Sequence, residues 1–226
     1  MTTDTTEVLK RRVAQAAVDA LPDGPLMLGI GTGSTMDLFI DALAASGRDI
    51  TATVASSRRS AERLRSHGVR VIALEALTQP LALYIDGADE IEPGMAMIKG
   101  GGAALTQEKI VASAARAFIC IVDGSKQVAT LGAFPLPIEV IDSAIRPVSW
   151  AIEALGGRPV LREGVLTDNG HPLLDVHGLQ IDDPLAWEDR LNALPGVITN
   201  GIFARQSATV ALVGRPEGVE RLERPT

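Results

Sequence analysis

Short apolar runs alternate along the chain with segments whose apolar residues recur at helical spacing. In residues 5–21, for example, Val13, Ala17 and Leu21 are four residues apart and lie on one side of a helix. Helices are predicted at 5–21, 36–45, 60–67 and 103–117, and strands at 26–30, 50–55, 69–74, 81–85 and 118–122. This alternation predicts an α/β fold with a mostly parallel, Rossmann-like sheet and helices on both faces.

The pattern changes at Phe134–Pro137, where two prolines are followed by shorter segments of mixed type. Further apolar segments occur at 138–141, 148–155, 158–161, 165–167, 173–176, 184–193 and 197–203. Thr167–Gly170 reads Thr-Asp-Asn-Gly, a turn sequence typical of antiparallel hairpins. We therefore predict a second, smaller α+β domain.

The strand-like residues 208–213 could return to the first sheet, which would make the small domain an insertion. The predicted α/β domain then consists of residues 1–128 and 206–226, and the small domain of residues 129–205. With 226 residues and 46% hydrophobic content, the chain is long enough to bury a core in each.

The net charge of -7 and a pI near 5.0 argue against nucleic acid or an anionic membrane as a partner. Cys120 is the only cysteine and lies in an apolar run, so no internal disulfide can form and we interpret it as a core residue. We expect a cytoplasmic protein, since no apolar run approaches the roughly 18 residues of a membrane span.

A glycine-rich turn, Gly29–Thr35, separates the first predicted strand of the sheet from the helix that follows it. Backbone N–H groups at such a helix start favour an anion, so a phosphate would fit there. The glycine spacing is not that of a dinucleotide site, and no lysine completes a nucleotide P-loop. The alternative is a tight turn with a Ser or Thr helix cap.

Three carboxylates are candidates for proton transfer. Asp86 directly follows an apolar strand, at the carboxyl end where open α/β folds bind ligands, and Asp89 is three residues on. Glu108 falls in the middle of the apolar stripe of its helix, so burial should raise its affinity for a proton and suit it as a general base. The alternatives are turn chemistry for Asp-Gly and, for Glu108, helix-dipole stabilisation or pairing with a lysine.

Two lysines could supply positive charge near these acids. Lys99 precedes Gly100–Gly102, where a ligand can approach the backbone closely while the amine steadies an oxyanion. Lys126 follows the next strand, on the same edge of the sheet. The alternatives are a mobile surface loop and a solvated turn.

Together these segments resemble ribose-5-phosphate isomerase, type A, over nearly the whole chain. The matching motifs are GIGTGST, YIDGADEI, MIKGGGAALTQEKI, DGSKQV and PLPIEVI, followed by TDNG, LDVHG and LPGV. The resemblance implies interconversion of D-ribose 5-phosphate and D-ribulose 5-phosphate in the non-oxidative pentose phosphate pathway. It also implies no metal or organic cofactor, and a homodimer or a dimer of dimers.

Carried over by position, the resemblance makes Glu108 the base that moves the proton between C2 and C1. Asp86 and Asp89 would line the reacting oxygens, and Lys99 with the glycine amides would stabilise an enediolate. The implied substrate-binding residues are Thr32, Gly33, Ser34, Thr35, Asp86, Gly87, Ala88, Asp89, Lys99, Gly100, Gly101, Gly102 and Lys126.

Three basic residues remain outside that set. Lys10 is a weaker candidate for a phosphate contact, and Arg58 and Arg59 depart from the small polar residues we expect after Ser57. We interpret the two arginines as a solvated helix face rather than a phosphate site. The competing function is a non-catalytic sugar-phosphate sensor, which would bind the ligand without converting it.

Overall fold

The computed structural model describes the backbone of residues 3–224 and the side chains of residues 6–224. The helices are α1 (Thr3–Asp19), α2 (Ser34–Ala45), α3 (Arg58–Ser66), α4 (Leu105–Ser113), α5 (Ile145–Ala154) and α6 (Pro184–Asn192). The strands are β1 (Leu26–Ile30), β2 (Ile50–Ala55), β3 (Leu83–Asp86), β4 (Glu90–Ile91), β5 (Met97–Ile98), β6 (Phe118–Asp123), β7 (Leu136–Val140), β8 (Arg158–Leu166), β9 (Pro172–His177), β10 (Val197–Asn200), β11 (Ile202–Phe203), β12 (Val210–Arg215) and β13 (Gly218–Glu223).

A six-stranded sheet in the order β13-β12-β6-β3-β1-β2 forms the centre of the larger unit. All neighbouring strands are parallel except the edge strand β13, which pairs antiparallel with β12. Helices α1, α2 and α3 bury apolar side chains against one face, and α4 covers the other. The predicted α/β fold is therefore confirmed, and so is the return of residues 208–213 to this sheet.

Strand β6 shows why the sheet is central. All six of its residues are buried, because its side chains alternate between the two covered faces of the sheet. Such a strand reads in the sequence as a continuous apolar run rather than as an alternating one. Within residues 3–224, no helix has both the length and the apolar character needed to cross a membrane.

The smaller unit is an antiparallel sheet in the order β10-β7-β9-β8, with α5 and α6 packed in the same core cluster. A third sheet, β11-β5-β4, joins it to the larger unit. The hairpin turn at Thr167–Gly170 has Gly170 at a φ of 85°, as its sequence predicted. The four antiparallel strands lie inside residues 129–205, and we keep those bounds as our proposal for the domains.

The predicted strand at 69–74 is wrong. Only an isolated bridge between Thr53 and Val71 forms, and Leu74–Ala76 is a 3-10 turn. This segment lies outside the edge strand β2, is only half-buried, and turns away after that single bridge.

Other predicted bounds shift for identifiable reasons. The run 197–203 divides into β10 and β11 at Gly201, where a Cβ would lie 2.3 Å from the carbonyl oxygen of Lys99. The predicted helix 103–117 is shorter, because Ala103 has a left-handed φ of 61° and Ala114 N–H bonds to the Val111 carbonyl in a tightened last turn. The runs 158–161 and 165–167 form one irregular strand, β8.

Candidate active site

A cleft of about 200 Å³ lies at the carboxyl ends of β1, β3 and β6. The chain changes direction across the sheet at this point: β2, the next strand in the sequence, lies on one side of β1, and β3 lies on the other side of β1. Ligands of open α/β sheets bind at such a position. The lining residues are Lys10, Thr32, Gly33, Ser34, Thr35, Gly87, Ala88, Asp89, Lys99, Gly100, Gly101, Gly102, Glu108, Ile121, Val122, Asp123 and Lys126. The sheet topology thus gathers segments that are far apart in sequence.

Asp86 lies beneath this cleft rather than on its wall. Its side chain is completely buried, and its Oδ1 accepts hydrogen bonds from Thr32 N at 3.1 Å and Gly87 N at 2.8 Å. Its Oδ2 accepts from Lys99 Nζ at 2.8 Å and from the Tyr84 hydroxyl at 2.5 Å. Asp86 therefore links the glycine-rich turn, through Thr32, to Lys99 beneath the floor of the cleft.

Glu108 lines the cleft with a carboxylate that has a buried oxygen lacking a hydrogen-bond donor among residues 6–224. It is 4% exposed, and its Oε2 accepts no hydrogen bond from the described residues although Lys99 Nζ is 3.4 Å away. Burial raises the pKa of Glu108 to about 8; Lys99 opposes this rise, while the negative charges of Asp86 and Asp89 add to it. A carboxyl with this pKa can both take up and release a proton near neutral pH.

Lys99 remains charged in this setting. Burial by itself would lower the pKa of Lys99, but the neighbouring Asp86 and Glu108 carboxylates outweigh it and raise that pKa above its usual value. The ammonium also donates to the Gly87 carbonyl at 2.5 Å. Two of its three N–H groups are thus used by Asp86 and Gly87, which leaves one for Glu108 or for an oxygen in the cleft.

The glycine loop after Lys99 is shaped by close approaches. Gly100 has a φ of 108°, a left-handed conformation that favours glycine. Gly101 N donates to Asp89 Oδ2 at 2.8 Å, and a Cβ on Gly101 would lie 2.8 Å from Asp89 Oδ1. The loop therefore holds the Asp89 carboxylate at the rim of the cleft.

The opposite end of the cleft suits an anion. Gly33, with a φ of 103°, caps α2 without a side-chain hydrogen bond, so the amides of the first turn face the cleft uncapped by a side chain. Lys10 Nζ donates to Ser34 Oγ at 2.8 Å and brings a positive charge from α1. Lys126 lines the same cavity from the turn after β6.

Every residue predicted to bind substrate lines the cleft except Asp86, which supports it from below. Lys10, the weaker candidate, lines it too. Arg58 and Arg59 do not line it: their side chains are 78% and 67% exposed, and they pair with Asp168 and Asp37, in agreement with a solvated helix face.

Sequence reasoning missed residues that act from the second layer around the cleft. Tyr84 precedes Asp86 by two positions on one strand, so both side chains point to the same face, a signal that was available. Ser57 Oγ donates to Thr32 Oγ1 at 2.9 Å. Arg162, from the small unit, donates to the carbonyls of Gly100 and Gly101 at 3.2 Å, which no local pattern indicates.

Across the side chains of residues 6–224, no group of three His, Cys, Asp or Glu residues is arranged to hold a metal ion. The positive charges that line the cleft are those of Lys10, Lys99 and Lys126.

Comparison with known proteins identifies relatives along nearly the whole chain. The family model described as Ribose 5-phosphate isomerase A (phosphoriboisomerase A) matches residues 52–218. The Ribose-5-phosphate isomerase A of Bordetella petrii is 54% identical over 224 residues, which cover 98% of this chain and 99% of that one. The Ribose-5-phosphate isomerase A of Methylibium petroleiphilum is 53% identical over 214 residues, 95% of this chain and 97% of that one.

Solved structures agree with these sequence matches. The crystal structure of ribose 5 phosphate isomerase A from Neisseria gonorrhoeae has a TM-score of 0.95 at 47% identity, covering 98% of this chain and 99% of that chain. A D-ribose-5-phosphate isomerase solved in complex with phospho-erythronic acid has a TM-score of 0.92 at 38% identity, covering 97% and 99%.

Proposed function

The chain belongs to the ribose 5-phosphate isomerase A family, and on that premise we propose that Glu108 is the general base of its reaction. The enzyme is an aldose-ketose isomerase that interconverts D-ribose 5-phosphate and D-ribulose 5-phosphate. The observation that carries the proposal is that Glu108 lines the cleft beside Lys99, while its buried Oε2 accepts no hydrogen bond from residues 6–224.

In the proposed reaction, Glu108 takes the proton from C2 of the open-chain aldose, and the electron pair forms the double bond of an enediolate. The same carboxyl then returns a proton to C1, while the proton of the C2 hydroxyl passes to the C1 oxygen. Asp89, at the rim, is suited to relay that hydroxyl proton. One base thus serves both carbons, because they are adjacent in the substrate.

The negative charge of the enediolate requires a fixed positive partner. Lys99 has one N–H not used by Asp86 or Gly87, and the surrounding protein excludes water that would weaken its field. We assign Asp86 to holding this ammonium and the Thr32 amide in place. It is a positioning residue in this proposal, rather than a group that touches the reacting oxygens.

The substrate phosphate is assigned to the start of α2, between Lys10, Lys126 and the hydroxyl side chains of that turn. Binding energy from this distant group would orient C1 and C2 against Glu108. The relative that binds phospho-erythronic acid supports a phosphorylated polyhydroxy ligand for this cleft.

The test is Glu108→Gln, which keeps the shape of the side chain and removes its basicity. We expect kcat to fall by about 10³-fold or more, with binding of ribose 5-phosphate within a few-fold of wild type. Wild type should exchange solvent deuterium into C1 or C2 of the sugar, and the variant should not. Glu62→Gln, an exposed carboxyl on α3, is the control. Retained turnover in Glu108→Gln would refute the base.

A non-catalytic sugar-phosphate sensor is not favoured, because the curated relatives are named as isomerases. We further propose a cytoplasmic homodimer or dimer of dimers that acts on sugar phosphates without nucleic acid or membrane partners. The acidic net charge of -7 supports the absence of nucleic-acid and membrane partners, and the single, buried Cys120 fits a reducing cytoplasm. The oligomeric state is proposed from the family resemblance alone.

A further inference from the structure

Helix α4, which bears Glu108, is fixed on both sides of that residue by two buried carboxylates of the small unit. Thr106, two positions before Glu108, donates from Oγ1 to Glu139 Oε2. Lys109, the residue after Glu108, donates from Nζ to Glu188 Oε1 at 2.7 Å. Neither carboxylate lines the active-site cleft.

Helix α4 has few local interactions of its own that could fix its orientation. It is nine residues long, and its N-cap residue, Ala104, offers no side-chain hydrogen bond. The residue before, Ala103, has the left-handed φ of 61°, which is costly for a non-glycine residue. Helices of this length are marginal in water, so tertiary contacts decide where α4 lies.

Glu139 is built as a rigid acceptor. It lies on β7, is completely buried, and its Oε1 is bonded by Thr167 Oγ1 at 3.0 Å, Asn169 Nδ2 at 3.2 Å and His171 Nδ1 at 3.0 Å. Those contacts come from the β8-β9 hairpin of the small unit. These contacts fix the position of the carboxylate, whose Oε2 accepts from Thr106 Oγ1.

Lys109 is fixed as firmly. Its ammonium donates to Glu188 Oε1 and to the carbonyls of Asn200 at 2.8 Å and Ile202 at 2.6 Å, which uses all three N–H groups. Glu188 is 1% exposed, and its other oxygen accepts from Ala204 N at 3.0 Å. We call the Thr106–Glu139 and Lys109–Glu188 contacts the two anchors of α4. One is a hydroxyl donating to a carboxylate and the other is an ion pair, but both hold the same turn of the helix.

We propose that Glu139 and Glu188 are positioning residues for the reaction. Through their bonds to Thr106 and Lys109, these two residues of the small unit fix the position of α4 and hence of Glu108 in the cleft. The inference rests on the proposed role of Glu108. Displacement of a catalytic group by about 1 Å can cost on the order of 10²-fold in rate, so loss of one anchor should reduce turnover. Substrate binding through the phosphate should persist, since that site is formed by α1, the start of α2 and Lys126, and not by α4.

Thr106→Val tests the first anchor, because valine keeps the shape of threonine and lacks the hydroxyl. We expect kcat to fall about tenfold, with KM close to wild type. Thr106→Ser restores the hydroxyl and should keep kcat within about twofold. Ser113→Ala is the matched control on α4, since that exposed hydroxyl donates within the helix, to Ile110 O. Unchanged kcat in Thr106→Val, or an equal loss in Thr106→Ser, overturns the proposal.

A double-mutant cycle with Glu139→Gln provides a second test. It stays informative if the variants are somewhat less stable than wild type, because it compares the losses of kcat among folded variants. If Glu139 acts through Thr106, the double variant should lose no more kcat than the more impaired single variant. Losses that multiply would show separate effects and overturn the proposal. Glu108→Gln, assayed alongside, separates the two claims: if it is inactive while Thr106→Val is fully active, only the positioning inference fails. If Glu108→Gln is active, the base assignment fails.

Discussion

The ammonium of Lys99 lies 3.4 Å from Oε2 of Glu108 and makes no hydrogen bond to it, although the two form an ion pair. Lys99 is turned instead toward Asp86, to which it donates at 2.8 Å. The carboxylate of Glu108 is thereby close to a positive charge and still free to accept a proton. A direct hydrogen bond would stabilise the carboxylate and make it a weaker base.

The raised pKa of Glu108 makes folding stability depend on pH. Between about pH 4.5 and 8 the unfolded chain releases this proton while the folded chain retains it, so stability falls as pH rises. Glu108→Gln removes this dependence. Its stability relative to wild type should therefore increase through that window, by at most a few kcal/mol, and level off above it. Urea unfolding across the window measures this, with Glu62→Gln as control; a difference that does not change with pH would contradict the raised pKa.

The pH dependence of kcat/KM should follow the titration of Glu108. If Glu108 is the base, kcat/KM should rise with pH through a pKa of about 8 and level off above it. The negative charge of Asp89 contributes to raising the pKa of Glu108, so Asp89→Asn should move this limb toward lower pH even as it lowers the maximal rate. Asp23→Asn, on the exposed surface, should leave the limb where it is. A limb that does not move, or moves upward, argues against this coupling.

Lys10 should contribute to substrate binding more than to chemistry. Lys10→Met removes the charge beside Ser34 and should raise KM by about tenfold, with kcat within about twofold. The effect should shrink at high ionic strength, because salt screens partly exposed charges. Arg11→Met is the control, since Arg11 is exposed and, among the side chains of residues 6–224, pairs only with Glu7. Steady-state kinetics at two salt concentrations decide the point; a large loss of kcat would place Lys10 in the chemistry instead.

Gly31 should be intolerant of any side chain. A Cβ there would lie 1.9 Å from Asp86 Cγ, so Gly31→Ala must displace the carboxylate that holds Lys99. We expect a stability loss of about 3 kcal/mol or more, with activity strongly reduced. At Gly218, on β13, a Cβ meets nothing within 4 Å, and Gly218→Ala should be nearly neutral. Thermal unfolding of both variants compares the sites; equal stabilities would contradict the close approach.

The alternation of strands and helices was readable because the spacing of apolar residues that marks each element is a local property of the sequence. Residues 118–122 of strand β6 form an uninterrupted apolar run and α2 follows a glycine turn, so both were predicted within two residues of their observed bounds. The strand predicted at 69–74 was wrong, because an apolar run at a sheet edge forms a strand only if a neighbour pairs with it. That condition depends on the packing of distant segments.

For the candidate site, the sequence alone determined which residues stand at strand ends and which carboxylate interrupts the apolar stripe of α4. Those facts follow from periodicity and chain direction. Only the tertiary structure decided that Asp86 lies beneath the cleft, that Lys99 is aligned with Asp86 rather than Glu108, and that Glu139 and Glu188 grip α4. The physical reason is that these relations are distances between segments joined only through the folded core, and the short-range order of the chain does not specify them.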